Sequence, residues 1–195
     1  VSNMVDGTIS KVLVPSGKIE LLYSGLNQPK GLAYHPNGDL YVVNSGDGSL
    51  VRISPQGVKS VLTTGFNAPE DVTVSSSGVV YVSSPGDRAL YKVAANGVKT
   101  IVKQSFGVEQ IIDLFYDASG VLYSLDSSGT VYKKMADNQI TQVAKVGSYA
   151  TAIAQLDVQT LLVANQYGEV KKVSLSTGEV TPFMDRLPFA LTDIL

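Results

Sequence analysis

Apolar and polar residues alternate with a period of two along this chain, in runs of four to seven residues. Leu50-Val51-Arg52-Ile53, Leu90-Tyr91-Lys92-Val93 and Val170-Lys171-Lys172-Val173 show the pattern. Side chains that point to opposite faces in turn make a strand, and no stretch carries the 3.6-residue period of an amphipathic helix. Turn sequences such as Pro-Gln-Gly, Ala-Asn-Gly and Ser-Thr-Gly punctuate the runs. Over one stretch the predicted strands are 71–74, 79–83, 89–93 and 99–103.

The runs recur. Gly38–Asn44 (GDLYVVN), Gly78–Ser84 (GVVYVSS), Gly120–Asp126 (GVLYSLD) and Thr160–Asn165 (TLLVAN) align on Tyr41, Tyr81, Tyr123 and Leu162, with spacings of 40, 42 and 39. A second series of turns falls at Gly7, Gly48, Gly129 and Gly168, with Arg88 in the remaining slot. A third falls at Gly17, Gly57, Gly97, Asn138 and Gly178. Asn suits its slot because it tolerates positive φ better than other non-glycine residues. Four short strands in about 40 residues are one blade of a β-propeller. A lone four-stranded sheet has two apolar faces, and blades packed face to face bury both. A β-sandwich would show strands every 8–12 residues without the longer period.

The predicted fold is therefore all-β: a β-propeller of four-stranded antiparallel blades, about five blades' worth of chain. It reads as one domain over 1–195, with repeats near 1–28, 29–68, 69–109, 110–148, 149–187 and 188–195. Val1-Ser2-Asn3 matches the end of a second strand, Val42-Val43-Asn44. Asp193-Ile194-Leu195 matches the start of a first strand, Asp71-Val72-Thr73. The expectation is a window of a longer propeller, because a start and stop in mid-blade leave unpaired edges.

Composition narrows the function. Net charge is −2 and the pI is about 5.3. No basic surplus is present to neutralise a phosphate backbone, which argues against nucleic acid as a partner. The longest basic clusters are the pairs Lys133-Lys134 and Lys171-Lys172. No apolar run approaches the roughly 18 residues of a membrane-spanning helix. Cysteine is absent, so disulfides, thiolate metal sites and a Cys nucleophile are excluded together. No G-x-S-x-G elbow occurs. His35 is the only histidine. The Cys-free, Ser/Thr/Gly-rich composition leans toward an extracytoplasmic (periplasmic or secreted) setting.

The segment from Pro29-Lys30-Gly31-Leu32 to Tyr41-Val42-Val43-Asn44 resembles an NHL repeat, and Pro69-Glu70-Asp71-Val72 through Tyr81-Val82 is a second copy. The third copy lacks the proline; the fourth, Thr151 to Asn165, lacks both the proline and the turn glycine. The resemblance, to NHL propellers within the broad SMP-30/gluconolactonase-like superfamily, implies a propeller that commonly has six blades. It also implies two functional directions. Many NHL propellers bind protein, peptide or glycan ligands; SMP-30-like relatives are hydrolases that hold a divalent metal on acidic and amide side chains at the start of first strands. The positions here that match those ligands are Lys30, Glu70, Ile112, Thr151 and Thr192, a poor cage for a hard cation.

The next position along gives Gly31, Asp71, Asp113, Ala152 and Asp193. Asp71, Asp113 and Asp193 are candidate Ca²⁺ ligands, or else residues whose carboxylates cap local backbone N–H groups. A second polar series lies three residues past each anchor: Asn3, Asn44, Ser84, Asp126 and Asn165. These are turn caps or the polar rim of a binding face. The candidate ligand-binding set is Asn44, Ser84, Asp126, Asn165 and Glu70, with no catalytic residue assigned. Arg88, Pro85, Phe66, Phe106 and Tyr167 are loop or strand-end residues of interface-favoured chemistry, with Phe66 and Phe106 read as packing between blades. The leading expectation is a binding or scaffold module for a protein, peptide or glycan, with no cofactor. The alternatives are a divalent-metal-dependent hydrolase using Ca²⁺ and a structural subunit of a larger assembly.

Overall fold

The computed structural model describes residues 1–104, 110–117, 119–134 and 139–184. Asn138, Phe106, Thr192 and Asp193 lie outside them. The chain forms two compact units, Val1–Gln104 and Ser105–Leu195.

The first unit holds three sheets. Sheet A is β1 (Ser2–Asn3), β2 (Thr8–Leu13) and β3 (Lys18–Tyr23). Sheet B is β4 (Pro29–Tyr34), β5 (Leu40–Asn44), β6 (Ser49–Ile53) and β7 (Lys59–Thr63). Sheet C is β8 (Val72–Val74), β9 (Val80–Ser84), β10 (Ala89–Val93) and β11 (Lys99–Gln104). The second unit holds sheet D, which is β12 (Ile111–Tyr116), β13 (Leu122–Asp126), β14 (Thr130–Lys134) and β15 (Ile140–Lys145). Sheet E is β16 (Ala150–Asp157), β17 (Thr160–Asn165), β18 (Val170–Ser174) and β19 (Val180–Met184). Each sheet is an antiparallel meander of consecutive strands, with no Greek-key crossing of the sandwich kind. These are propeller blades: four of four strands, and sheet A of three. Sheet A begins at a second strand, as the match of Val1-Ser2-Asn3 to 42–44 predicts. Among the described residues, the helical element is a single 3-10 turn, Pro85–Asp87.

The alternating pattern buries both faces of the inner strands. Every residue of β5 is buried. Leu40 and Val42 pack with Ile9, Val51 and Ile53 between sheets A and B. Tyr41 and Val43 point the other way and join Leu50, Phe66, Val72, Val82 and Tyr91 between sheets B and C. Tyr123, Leu125, Val131, Ile153 and Leu161 form the equivalent layer between sheets D and E. Burying one such side chain fully is worth about 1.5–3 kcal/mol, so these layers hold neighbouring blades together. Phe66 is 5% exposed and meets Tyr91 edge-on at 5.3 Å, which is the packing role its position predicts.

The turn series are confirmed where they are described. Gly7, Gly48, Gly129 and Gly168 have φ between 64° and 80°, and Arg88 occupies the same slot at φ 52°. A side chain is tolerated there because Arg88 caps the 3-10 turn, its N–H donating to the Pro85 carbonyl at 3.0 Å. Gly48 is required for a further reason: a Cβ on it would sit 2.2 Å from the Phe66 carbonyl oxygen.

One feature has no sequence signal. The pairing of third and fourth strands slips by one residue at the same place in all five sheets. The slips fall at Ile9/Ser10, Leu50/Val51, Leu90/Tyr91, Val131/Tyr132 and Val170/Lys171. A bulge bends its strand and increases local twist, so each blade is twisted in the same position.

Candidate functional site

First strands are also bulged, and this decides where their polar side chains go. The ladder skips between Pro29 and Leu32, between Ile111 and Asp113, and between Ala150 and Ala152. The skipped residues include Lys30, Ile112 and Thr151, three of the positions that the family resemblance marks for metal ligands. A bulge re-aims side chains and commonly lies beside a functional site.

At these positions the Lys30 ammonium meets the Glu70 carboxylate at 2.5 Å, with both side chains about one-third exposed. Asp71 lies against the backbone of Gly31, where a Cβ would be 2.3 Å from the Asp71 Oδ1. Its own N–H donates to the Ser83 Oγ at 3.0 Å. Asp113 accepts the Leu114 N–H at 2.8 Å on Oδ1 and the Ile153 N–H at 2.7 Å on Oδ2. Its carboxylate therefore ties sheet D to the first strand of sheet E. Among the described residues, no three acidic, histidine or cysteine side chains converge. The only carboxylate at the four described ligand positions is neutralised by a lysine, so these residues do not fit a Ca²⁺ cage.

The second polar series lies in the hairpins between second and third strands. Asp126 is 0% exposed. Its Oδ1 accepts the Ser128 N–H at 2.9 Å, the Ser128 hydroxyl at 2.8 Å and the Thr130 N–H at 2.8 Å; its Oδ2 accepts the Tyr132 hydroxyl at 3.0 Å. Asn165 accepts the Tyr167 and Glu169 N–H groups, both at 3.0 Å, and donates to the Glu169 carboxylate at 2.8 Å. Asn3 accepts the Val5 and Asp6 N–H groups. In sheet C the work is divided: the Ser84 hydroxyl bonds the Asn67 carbonyl at 2.9 Å and the Asp87 carboxylate at 2.8 Å, and Asp87 also accepts the Tyr91 hydroxyl. In sheet B, Asp47 accepts the Ser49 N–H and hydroxyl. Asn44 donates to the Ser49 hydroxyl at 3.3 Å, and its buried Oδ1 has no partner.

His35 is half-buried. It accepts the Asn37 N–H on Nδ1 at 3.2 Å and packs on Tyr41 at 5.7 Å. Asp39, unmarked by the sequence reading, is 2% exposed and pairs with the Arg52 Nε at 2.6 Å. Burial pushes its carboxyl up, but the hydrogen bonds from Arg52 and Asn37 and the Arg52 charge outweigh that and hold it below the ordinary carboxylate value.

The described surface has a recess in the second unit, between the loop leading into β16 and the hairpin joining β17 to β18. Its volume is about 290 Å³, and Tyr149, Tyr167, Asn165, Glu169 and Lys171 contribute its larger side chains. The two tyrosine rings lie 5.4 Å apart at 74°. Tyr149 has φ 66°, a left-handed conformation costing roughly 1–2 kcal/mol for a residue with a Cβ. It is held there because its carbonyl accepts the Gln166 N–H at 3.0 Å. The sequence reading singled out Asn165 and Tyr167 but not Tyr149, whose role depends on a turn conformation and a ring neighbour eighteen positions away.

Fold and loop geometry together define the class: this is a β-propeller of four-stranded antiparallel blades. No protein-family model matches the chain, and no curated protein matches it in sequence. Solved structures similar to it include a virginiamycin B lyase from Staphylococcus aureus (TM-score 0.75, 15% identity, 94% of this chain and 65% of that one). A streptogramin B lyase (TM-score 0.75, 10% identity, 93% and 63%) is also similar. So is a gluconolactonase from Xanthomonas campestris (TM-score 0.72, 16% identity, 85% and 65%). The chain spans between 63% and 65% of the length of these structures. At such identities the likeness concerns the fold, which is shared with lyase and gluconolactonase enzymes.

Proposed function

We propose that this propeller is a ligand-binding module. Its binding surface lies in the second unit, on the hairpin joining β17 to β18 and the loop leading into β16. The observation that supports this most directly is the recess at Tyr149 and Tyr167, where exposed aromatic rings, an amide and two charged groups surround an apolar floor. Pockets of this composition suit recognition. Asp126 is engaged within its own hairpin, accepting three hydrogen bonds on Oδ1 and one on Oδ2. Asn165 is the member of the candidate set that reaches the recess; Asn44 and Ser84 are buried in the first unit, and Glu70, in that same unit, is a candidate contact there alone. The test is saturable retention of the chain on immobilised peptide and glycan libraries. Loss of that retention in Tyr149→Gly is the expected result, and no saturable ligand in either library would refute the reading.

A second reading, a Ca²⁺-dependent lactone hydrolase, has support from the likeness to a gluconolactonase. It assigns the metal to Asp71, Asp113 and Asp193. It requires lactone hydrolysis that depends on Ca²⁺ and disappears in Asp113→Asn. Absence of calorimetric heat at millimolar Ca²⁺ would end it.

A further inference from the structure

We propose that the recess between the β16 lead-in loop and the β17–β18 hairpin is a saccharide subsite that takes a single uncharged sugar ring; the inference rests on the binding-module reading. Repetition supplies the first argument. The residues equivalent to Tyr149 in the other copies are Gln28, Ala68 and Gln110; the place of Tyr167 is taken by Val5, Gly46, Gly86 and Ser128 counted from the hairpin cap, or by Asp6, Asp47, Asp87 and Ser128 counted from the turn glycine series, none of them aromatic. Gln28 and Ala68 adopt the same left-handed conformation, with φ 50° and 49°. The blade therefore needs no aromatic ring at either place, yet one copy has two, in contact with each other.

The rings are open and preset. Tyr149 is 55% and Tyr167 42% exposed. Their backbones are fixed by the Gln166-to-Tyr149 bond and the Tyr167-to-Asn165 bond. Rings placed before a ligand arrives lose little freedom on binding. Tyrosine also offers an apolar face and a polar tip together. Behind the rings, Ala150, Val163 and Ala164 form a buried floor.

The polar groups define the ligand's chemistry. Lys171 donates to the Val146 carbonyl at 2.8 Å, one use of an ammonium with three donors. The Glu169 Oε2 accepts from Asn165, one use of a group with about four acceptor positions. The recess thus offers donors and acceptors while its two charges cancel. A cationic ligand would face Lys171 and an anionic one Glu169. A purely apolar group would strip water from both without replacing its hydrogen bonds. A sugar ring answers each condition, with a C–H face for a tyrosine and hydroxyls that both donate and accept. At about 290 Å³ the space is at the small end for ligand sites, which suits one ring.

The test uses the whole chain on an array of immobilised neutral and acidic oligosaccharides, with a random peptide library alongside. Tyr149→Gly keeps the left-handed turn and removes the ring; Tyr167→Ser places the residue found in sheet D. Amide spectra of both variants confirm that they fold. The expected result is saturable binding of neutral glycans, weakened at least tenfold in each variant, with ligand-induced amide shifts confined to 146–150 and 163–171. Glycan binding unchanged in both folded variants would overturn the subsite and leave a binding module with its site elsewhere. Selection of peptides alone would overturn the saccharide assignment and keep the module. No ligand of either class would overturn both.

Discussion

Asp126 is the position where a structural and a ligand-binding role make opposite predictions. Replacing it with alanine removes four hydrogen bonds at once. The Thr130 N–H belongs to a residue only 5% exposed and would be left unsatisfied, at about 1–3 kcal/mol. The Ser128 N–H, the Ser128 hydroxyl and the Tyr132 hydroxyl are nearer water, and Ser128 keeps its 2.8 Å contact with Thr130; each of these costs about 0.5–1 kcal/mol. The expected loss is about 4 kcal/mol, a large share of the roughly 5–15 kcal/mol that stabilises a domain. Asp126→Asn behaves differently. An amide oxygen can accept from residues i+2 and i+4, as Asn165 does at 3.0 Å each, and Tyr132 can accept from the amide nitrogen. Its expected cost is about 1 kcal/mol, since neutral hydrogen bonds replace charge-assisted ones. Urea unfolding followed by circular dichroism measures both. With a slope near 2 kcal/mol per molar, alanine lowers the midpoint by about 2 M and asparagine by about 0.5 M. Hydrogen exchange at the Thr130 amide gives a local readout and should accelerate strongly in the alanine variant only. An alanine variant with an unshifted midpoint and a protected Thr130 amide would refute the capping role and return Asp126 to the list of ligand contacts.

Gly129→Ala should unfold far more readily than Gly17→Ala. Both glycines have positive φ, but a Cβ on Gly129 would lie 1.8 Å from the Gly147 carbonyl oxygen whereas Gly17 has nothing within 4 Å; thermal melts should show about 1 kcal/mol lost for Gly17 and several times that for Gly129. Asp39 makes a pH prediction. Its folded carboxyl titrates below the ordinary value, so its contribution is complete above the unfolded pKa near 4 and is lost as pH falls through the lower folded value. Arg52→Ala should move the acid unfolding midpoint upward, read by circular dichroism across pH 2–5. Lys99 donates to the Thr64 carbonyl at 3.0 Å and to the Gly65 carbonyl and stands 4.4 Å from the centre of the Phe66 ring. Lys99→Met should cost about 1–2 kcal/mol, with faster exchange in the 64–67 loop amides.

The blades were legible because their signals are local. A strand that buries both faces needs apolar residues throughout, as β5 has, and a hairpin that turns at positive φ needs glycine or a tolerated substitute. Those demands act on neighbouring residues and repeat with the blade, so Arg88 could be placed in a glycine series from spacing alone. The strand limits shifted by one residue where side chains take over the turn: the Ser75 hydroxyl accepts the Val79 N–H at 2.9 Å, and the ladder starts at Val80. The bulges were not legible, because a slipped register is a relation between two strands and no residue type marks it. The Lys30–Glu70 pair illustrates the same limit. Both residues were identified as positions of interest, but their contact joins sequence neighbours forty apart, and the choice between metal ligand and ion-pair partner depends on that contact.

Repetition also separates what the fold requires from what it permits. The buried third-strand residue is Ile9, Leu50, Leu90, Val131 and Val170 in successive blades, each at most 6% exposed. Its size varies little because it fills the layer beneath a bulge found in every sheet. The hairpin cap varies more, as Asn3, the Asn44/Asp47 pair, the Ser84/Asp87 pair, Asp126 and Asn165, because several side chains can satisfy the same orphaned backbone N–H groups. The residue that precedes the first strand varies most, from Gln28 and Ala68 to Tyr149. Packing does not choose among these, because the Tyr149 side chain lies mostly in solvent and its conformation is unfavourable for any residue bearing a Cβ. Tyr149 shares that backbone cost with Gln28 and Ala68, so strain does not single it out; what sets it apart is an exposed ring beside a second ring that no other described copy has at the matching place.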